Sequence, residues 1–330
     1  MKKNFIKKIV IQIVFTLIAL SSIFAKEYNI TKHDGAMFWT IDSTDSQGDP
    51  SRIYVLGTIH LADSTIYPVP QFILDAWNDS DKVYGEISSK DWKNYTAQFT
   101  NHILKYVIND GFDIETELTE DEIKILKEIT GSNYMNFKKF EPWILLSATT
   151  SSSYKESSIS AEYSYDVFFI NKAKEEDIEM LGLDSLKNQL NILSYGTRET
   201  QIAMLKDALN SINDKNNTVD DLEKLYEAYK SFDENIFTEV YYTQMKKEIE
   251  RQSVYKDYYK TMLDDRNEKW AKKFEQILDD GGVTFIFAGI GHFTGKNSVF
   301  HLLEKEKSKV KDIEAYNTIK EKKQPNPYEY

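Results

Sequence analysis

The hydrophobic positions along the chain follow two patterns. Short runs typical of β-strands come first, and a longer period typical of helices follows. Ala36–Asp42 and Arg52–Leu56 are short β-rich runs, and Ser43–Ser51 between them is rich in Ser, Asp, Gly and Pro. β-branched and aromatic runs bounded by turn residues are typical of two strands joined by a hairpin. Further strands are predicted at Lys82–Ile87, Ile178–Leu183, Val283–Ala288 and Ile313–Tyr316.

The longer period dominates the middle of the chain. Short helices are predicted at Val69–Trp77 and Val299–Lys305, and the pattern is helical over 91–176. From Leu186 to Leu278 apolar residues recur at spacings of three and four with charges between them, which predicts long amphipathic helices. Thr119 and Glu122 have the spacing of a capping box. Strands separated by helical segments favour the α/β class, here a central β-sheet with long helical insertions in one domain, 26–330.

The composition and charge of the chain limit the kinds of molecule that it is expected to bind. Hydrophobic residues make up 41% and aromatic residues 13% of the chain, which is typical of a globular protein. The formal net charge is −12. Nucleic acid and anionic membrane surfaces both require clustered cations, so neither is expected as a partner. A peptide or small-molecule substrate fits this charge better.

The first 25 residues resemble a secretory signal peptide. Four lysines among the first eight residues precede the apolar stretch Ile9–Leu20, and cleavage is expected after Ala25. We therefore expect an exported protein, periplasmic or secreted. The competing interpretation is an uncleaved anchor, although this apolar stretch is short for a membrane span. Cleavage would remove four lysines and no acid, changing the net charge from −12 to −16.

The chain contains no cysteine, so disulfides, thiol nucleophiles and cysteine-bound metals are excluded. Any metal site must use His, Asp or Glu. Of the five histidines, His33, His102 and His301 have no partner motif and are expected to be structural or on the surface.

The other two histidines lie in matching contexts. Gly57–His60 follows the strand at Arg52–Leu56, and Gly289–His292 follows the strand at Val283–Ala288. Both segments are G-x-x-H, and 13 glycines and five histidines predict only about 0.2 such matches by chance. The carboxyl ends of strands are where α/β sheets bind ligands. We therefore take this pair as candidate site residues, although either histidine alone could be a structural hydrogen-bonding group.

Glu86 ends the strand predicted between the two histidine segments. Two imidazoles and one carboxylate can hold Zn²⁺, Mn²⁺ or Fe²⁺ and leave coordination positions open. Such an ion would acidify a bound water and polarise a carbonyl group. The same three groups could instead perform acid–base chemistry without a metal, and a solvated carboxylate is the plainer alternative.

A family resemblance is visible in the stretch from Ile53 to Ser88, IYVLGTIHLADSTIYPVPQFILDAWNDSDKVYGEIS. It resembles the opening signature of the TraB/PrgY/GumN family: a strand, G-T-x-H, a Pro-bearing turn, a helix and S-D-x-x-x-x-E. Ser80, Asp81 and Glu86 stand at the positions of the last motif.

Four later segments continue the resemblance in the same order, from about residue 36 to residue 316. Pro142-Trp143 matches a P-W pair, and GLDSLKNQL resembles G-L-E-T-x-x-x-Q-L with Asp184 replacing the family's Glu. Arg266-Asn267 matches an acidic-R-N signature, and Gly289–Gly295 matches the closing G-x-x-H-x-x-G. The family's relatives include the Tiki metalloproteases.

The resemblance implies a role for each matching residue. His60, Glu86 and His292 would bind a divalent metal (Mn²⁺, Co²⁺ or Zn²⁺) or act on the reacting water, and Arg266 would hold a substrate carboxylate or a developing oxyanion. Gly57, Gly289, Asp184 and Asn267 would support the site. The architecture is expected to be similar to that of erythromycin-esterase-like and haem-binding ChaN-like proteins, which shows that such a fold does not fix one activity.

Three functions follow as hypotheses. The first is a metal-dependent, peptidase-like hydrolase of a peptide or another amide or ester. The second is a non-catalytic protein that sequesters a peptide or a haem-like ligand in the same cleft. The third is a metal-free, esterase-like enzyme that uses His and Glu as bases.

Export is the first testable prediction. If the signal is cleaved after Ala25, the mature protein outside the cytoplasm should begin near Lys26, and intact-mass measurement of exported material will show it. Exported protein that still carries Met1 would establish the uncleaved anchor instead.

Overall fold

The computed structural model describes residues 27–97, 99–153, 157–213 and 215–305. The expected signal segment and the strand predicted at Ile313–Tyr316 lie outside these residues. Asn29–Leu303 form one compact unit, while the other unit, Met1–Tyr28 with Glu304–Tyr330, lies almost entirely outside the description. The single domain over 26–330 therefore stays a prediction. In the part of the chain that the structure describes, no helix is long and apolar enough to cross a membrane.

A mixed six-stranded sheet forms the centre of the unit Asn29–Leu303. Its strands are β1 (Asn29–His33), β2 (Phe38–Thr44), β3 (Pro50–Thr58), β4 (Lys82–Gly85), β5 (Met180–Gly182) and β6 (Gly282–Gly289). The order across the sheet is β1-β2-β3-β6-β4-β5. β1, β2 and β3 are antiparallel neighbours, whereas β3, β6, β4 and β5 run parallel. The predicted hairpin between β2 and β3 and the predicted α/β class are confirmed.

The edge strand β1 was not predicted from the sequence. Its residues NITKH are mostly polar, and each is exposed or half-buried. Short polar strands are typical of sheet edges, where one side of the backbone has no partner strand. Its pairing with β2, from Asn29 opposite Asp42 to His33 opposite Phe38, depends on a neighbour that local composition does not reveal.

Helices fill the connections between the parallel strands, as predicted. They are α1 (Gln71–Asn78), α2 (Ser89–Ala97), α3 (Phe99–Leu104), α4 (Glu120–Thr130), α5 (Tyr134–Phe137), α6 (Pro142–Ser153), α7 (Tyr165–Glu175), α8 (Leu186–Leu193), α9 (Arg198–Asn213), α10 (Lys215–Lys230), α11 (Glu234–Arg251), α12 (Val254–Tyr259) and α13 (Asp265–Asp280). A π-helical turn, Lys260–Asp264, joins α12 to α13, and a last helical segment covers 299–305. The predicted capping box of Thr119 and Glu122 opens α4.

Large aromatic side chains cover both faces of the sheet. On one face Phe169 of α7 lies 5.1 Å from both Trp77 of α1 and Phe285 of β6, measured between ring centroids. On the other face Phe293 contacts Trp39 of β2 and Phe274 of α13. These rings are nearly or fully buried, so apolar burial fixes α7 and α13 against the sheet.

The inserted helices also build a second hydrophobic core away from the sheet. Its buried members come from α4, α5, α6 and α9 and the segment before them: Ile114, Leu118, Ile125, Leu126, Tyr134, Leu145, Leu205 and Leu209. These helices are therefore packed by their own apolar faces, as their periodicity predicts.

Parallel strands place four chain segments at one edge of the sheet. The order β3, β6, β4, β5 puts the residues after each strand side by side: His60, then His292, then Glu86, then Asp184. The candidate site therefore lies at the carboxyl edge of the parallel half of the sheet, where α/β folds place ligands.

The central position of β3 gives a matched stability test. Leu56 in β3 is fully buried, while Leu104 at the end of α3 is 57% exposed. We expect Leu56→Ala to lower the free energy of unfolding by about 2–5 kcal/mol, because it leaves a cavity in the sheet core. Leu104→Ala should change it by no more than about 0.5 kcal/mol. Urea unfolding of both variants measures the difference, and equal effects would contradict this packing.

Candidate active site

The two G-x-x-H segments lie on neighbouring strands. β3 and β6 are parallel, with Gly57 opposite Ala288 and Thr58 opposite Gly289. A Cβ atom at Gly57 would lie 2.5 Å from Ile290 Cδ1 and 3.2 Å from Trp39 Cζ3, so glycine lets the two segments pack without displacing these side chains. The buried Tyr229 hydroxyl donates to the Gly57 carbonyl at 2.9 Å and holds the start of the first segment.

Gly289 marks the point on which the predicted site residues converge. A Cβ atom at this glycine would lie 3.3 Å from Glu86 Oε1, 3.9 Å from His292 Cδ2 and 4.0 Å from His60 Nε2. The structure therefore brings together the three side chains that the sequence predicts, although they come from three different strand ends.

Glu86 is held as an ionised carboxylate that accepts hydrogen bonds at both oxygens. Its Oε2 accepts from Arg266 Nη2 at 2.7 Å and from Gln189 Nε2 at 2.9 Å, and its Oε1 accepts from the Gly289 backbone N–H at 3.1 Å. Burial alone would raise the pKa of Glu86, but the positive charges of Arg266 and His60 hold that pKa well below its usual range. A carboxylate with such a low pKa is a weak base.

Arg266 lies between two carboxylates. Its side chain is 7% exposed, its Nε donates to Asp184 Oδ2 at 2.7 Å, and Nη2 donates to Glu86. Burial alone would lower the pKa of Arg266, but Glu86 and Asp184 outweigh that effect and raise it. Asp184, shorter than the family's Glu, still reaches the guanidinium, and Asn188 Nδ2 donates to its other oxygen at 2.8 Å. Arg266 thus organises the site by joining the strand ends of β4 and β5.

His292 is a buried, neutral imidazole. Its Nδ1 lies 2.6 Å from Asn267 Oδ1, and Asn267 Nδ2 donates to the Asn297 carbonyl at 2.7 Å, which fixes the orientation of the amide. Nδ1 therefore carries the proton and Nε2 is left as an acceptor. Burial and the nearby charge of Arg266 lower the pKa of His292 to about 3.

His60 has the opposite environment. Its side chain is 70% exposed, and its Nδ1 lies 3.2 Å from Asp166 Oδ2. The hydrogen bond and the negative charge of Asp166 raise the pKa of His60 to about 9. Thr58 Oγ1 donates to the other Asp166 oxygen at 2.8 Å and so orients the carboxylate toward the imidazole.

Asp166 is a site residue that sequence reasoning missed. It lies in the first turn of α7, whose N-cap is Ser164. In the sequence it is one acidic residue among many in a helical region, 106 residues from His60. An acid in the first turn after a serine N-cap is also an ordinary feature of helix starts, so no local signal separates Asp166 from a structural residue.

The remaining histidines lie elsewhere. His33 is in β1, where its Nε2 is 2.6 Å from Thr40 Oγ1 and its ring stacks on Phe72. His102 is in α3, and His301 is in the helical segment 299–305.

Whether the expected divalent metal ion fits the site depends on how the side chains that could ligate it are arranged. Across the described residues no group of three or more His, Asp or Glu is arranged to hold a metal ion. Both Glu86 oxygens already accept hydrogen bonds, and a dication there would lie beside the Arg266 guanidinium. As arranged, the three converging side chains do not form a metal-ligand set, and the expected divalent ion stays a prediction.

Comparison with known proteins agrees with the motifs. The profile of the TraB/PrgY/gumN family matches residues 37–312. The chain belongs to this family. It is also 26% identical over 284 residues to an uncharacterized protein of Treponema pallidum (strain Nichols), an alignment that covers 84% of this chain and 83% of the relative. No solved structure matches the chain significantly.

The pairing of His60 with Asp166 predicts a titration. By NMR the His60 ring should titrate near pH 9 in the wild type and nearer its ordinary 6.5 in Asp166→Asn, because the variant loses the negative charge. Since the folded-state pKa is raised, this pair stabilises the fold fully below pH 6.5 and loses that contribution as the pH rises through about 9. Asp75→Asn, at an exposed position of α1, is the control. An unchanged His60 titration in Asp166→Asn would refute the pairing.

Proposed function

We propose that this TraB/PrgY/gumN-family protein is a hydrolase of peptide bonds or of other amide or ester bonds, with His60 and Asp166 as its proton-transfer pair. The observation that carries the proposal is the exposed imidazole whose Nδ1 faces a carboxylate and whose Nε2 faces the point near Gly289. A histidine oriented by a carboxylate at the edge of a ligand-binding cleft is a recurring acid–base arrangement.

In this proposal His60 and Asp166 activate a water molecule, which hydrolyses the substrate. Neutral His60 takes a proton from water at Nε2 while the water oxygen bonds to the substrate carbonyl carbon and the π electrons of the C=O bond move onto the carbonyl oxygen. The imidazolium that forms is stabilised by Asp166 at Nδ1. His60 then returns the proton to the leaving nitrogen or oxygen as the C=O bond re-forms and the bond from the leaving atom to the carbonyl carbon breaks. The products are a carboxylic acid and an amine or alcohol, and the enzyme ends in its starting state.

The other residues position these reactants. Neutral His292 offers Nε2 as a hydrogen-bond acceptor, which suits a water molecule held close to His60. The Arg266 guanidinium is nearly buried and donates to Glu86 and Asp184, so its part in this proposal is to position the carboxylates. Its expected contact with a substrate carboxylate or oxyanion stays a prediction. Glu86 keeps Arg266 and the Gly289 backbone in place. In this proposal Asp166, and not Glu86, is the partner of the base.

A metal-dependent hydrolase is the second candidate. The observation in its favour is the convergence of His60, Glu86 and His292 around Gly289. The observation against it is the engagement of Glu86 by Arg266, Gln189 and the Gly289 N–H. Sequestration of a peptide or haem-like ligand without turnover is the alternative to both. We keep export as part of the proposal, with the substrate met outside the cytoplasm.

Substitutions at the site test whether the protein catalyses hydrolysis or only binds its ligand. We expect His60→Ala and Asp166→Asn each to lower the hydrolysis rate by about 10²–10⁴-fold, the usual contribution of a positioned acid–base group. Because His60 must be neutral to act as base, the wild-type rate should rise with pH through about 9, and Asp166→Asn should shift that rise toward 6.5. His33→Ala, on the edge strand, should leave the rate unchanged. The assay is a peptide-library digest read by mass spectrometry; cleavage that survives in His60→Ala refutes the assignment.

Removal of metal by a chelator distinguishes the hydrolase based on His60 and Asp166 from the metal-dependent hydrolase. If the site works as arranged, EDTA should change neither the rate nor the melting temperature, because no ligand of the folded state is removed. Metal analysis of the purified protein, before and after supply of Mn²⁺, Co²⁺ or Zn²⁺, completes the experiment. Stoichiometric metal in the wild type that is lost in both His60→Ala and His292→Ala would establish the metal-dependent candidate instead.

A further inference from the structure

Two neighbouring tyrosines of the inserted helix α11 pack on the chain segment that carries His292. A Cβ atom at Gly291 would lie 3.0 Å from both Oη and Cε1 of Tyr241, and a Cβ atom at Gly295 would lie 2.5 Å from Tyr242 Oη. The small size of glycine therefore lets both phenol rings lie directly against the closing G-x-x-H-x-x-G segment. The hydroxyl end of Tyr241 thus lies against the residue that precedes His292.

The ring of Tyr241 is held in place by packing. It stacks on Phe237, one turn earlier on α11, with the ring centroids 5.6 Å apart and the ring planes 20° apart. Phe237 is itself nearly fully buried. Because Phe237 and Gly291 both contact the ring, its orientation does not depend on a hydrogen bond to the hydroxyl.

Tyr241 and Tyr242 differ in what they face. Tyr241 lies in the wall of a cavity of about 660 Å³ that also has His60 in its wall, whereas Tyr242 lies outside that wall. Of the two hydroxyls that lie against the closing motif, that of Tyr241 therefore belongs to the residue that shares a cavity with the proposed base.

The Tyr241 hydroxyl is not used within the part of the protein that the structure describes. None of the hydrogen bonds between described side chains or backbone groups involves it. Two other tyrosines of the same cavity wall differ in this respect, because the Tyr255 hydroxyl donates to Asp207 and the Tyr259 hydroxyl donates to Glu248. The Tyr241 hydroxyl is therefore available to a ligand.

This phenol stays protonated at the pH values at which His60 would act. Burial, assisted by Tyr242, Tyr258 and Glu248, raises the pKa of Tyr241 above its usual value, and the positive charge of Arg266 opposes that shift only in part. A neutral phenol can donate a hydrogen bond to an oxygen atom without giving up its proton.

The proposed hydrolysis requires a donor for the carbonyl oxygen of the substrate, because negative charge develops there as water adds. All three guanidinium nitrogens of Arg266 already donate within the protein: Nε to Asp184, Nη2 to Glu86 and Nη1 to the Met262 carbonyl at 3.3 Å. Neutral His292 offers an acceptor and not a donor. Neither residue fills this role as the site is arranged.

We infer that Tyr241 is a further catalytic residue, whose hydroxyl donates a hydrogen bond to the carbonyl oxygen of the bond that is cleaved. This inference rests on the proposed hydrolase function and adds a residue to it. The hydrogen bond strengthens as the π electrons of the C=O bond move onto the oxygen, and it weakens again when the C=O bond re-forms. The phenol keeps its proton throughout.

The two adjacent tyrosines supply a matched test. Tyr241→Phe removes one oxygen atom from the cavity wall and keeps the ring, while Tyr242→Phe removes the same atom outside that wall. We expect Tyr241→Phe to lower kcat by about 10²–10³-fold with little change in KM, because the donor acts mainly on charge that develops in the transition state. Tyr242→Phe should change neither. The substrates are the peptide that the wild type cleaves fastest in the library digest and p-nitrophenyl butyrate, and melting curves show that each variant is folded.

The pH profile distinguishes a donor to the substrate from a residue that acts through His60. In Tyr241→Phe the rate should fall at every pH, while its rise through about 9 keeps its position because the pairing of His60 with Asp166 is unchanged. A rise displaced to another pH would mean that Tyr241 acts on the base, and it would overturn the inference.

The remaining outcomes separate this inference from the proposed function. Wild-type kcat in Tyr241→Phe, together with loss of activity in His60→Ala, overturns the role of Tyr241 and leaves the hydrolase standing. Equal losses in Tyr241→Phe and Tyr242→Phe also overturn it, because the cavity would then play no part. Absence of turnover in the wild type overturns the hydrolase and this inference together.

Discussion

The buried ion pairing of Arg266 with Glu86 and Asp184 is the interaction on which the candidate site depends. It joins α13 to the ends of β4 and β5, and Glu86 extends the connection to β6 through the Gly289 N–H. A guanidinium taken out of water is costly unless it has an opposite charge beside it and acceptors for its donors, and here Glu86 and Asp184 supply both. Removing one partner of such a buried pair typically costs about 3–5 kcal/mol, because the remaining charge is left buried and unpaired. The network thereby holds Glu86, Asp184 and the Gly289 backbone together at this edge of the sheet.

The two histidines of the repeated G-x-x-H motif have opposite pKa shifts because their surroundings differ. His292 is almost fully buried, faces the Arg266 charge, and has the neutral amide of Asn267 as its partner. His60 is exposed to solvent and has the carboxylate of Asp166. One imidazole is therefore held neutral while the other has a pKa raised to about 9. Pairs of titratable groups with opposed pKa shifts are a feature of acid–base sites.

The inserted helices add what the sheet cannot provide. The sheet edge positions His60, Glu86, His292 and Asp184. Helices α6 and α9, which pack through the second hydrophobic core, line a cavity that also has His60 in its wall. Because function depends on sites and not on the fold, membership of the TraB/PrgY/gumN family is compatible with different substrates in different members.

The sequence by itself determined the α/β class, most strand and helix positions, and the convergence of His60, Glu86 and His292. Hydrophobic period and turn chemistry are local, and parallel strands necessarily bring their carboxyl ends to one edge. Only the tertiary structure decided three further features. The partner of His60 is Asp166, Arg266 is enclosed by two carboxylates, and β1 pairs at the sheet edge. Each of these depends on contacts between residues far apart in the chain, and neither composition nor periodicity encodes which distant charge will lie within hydrogen-bonding distance.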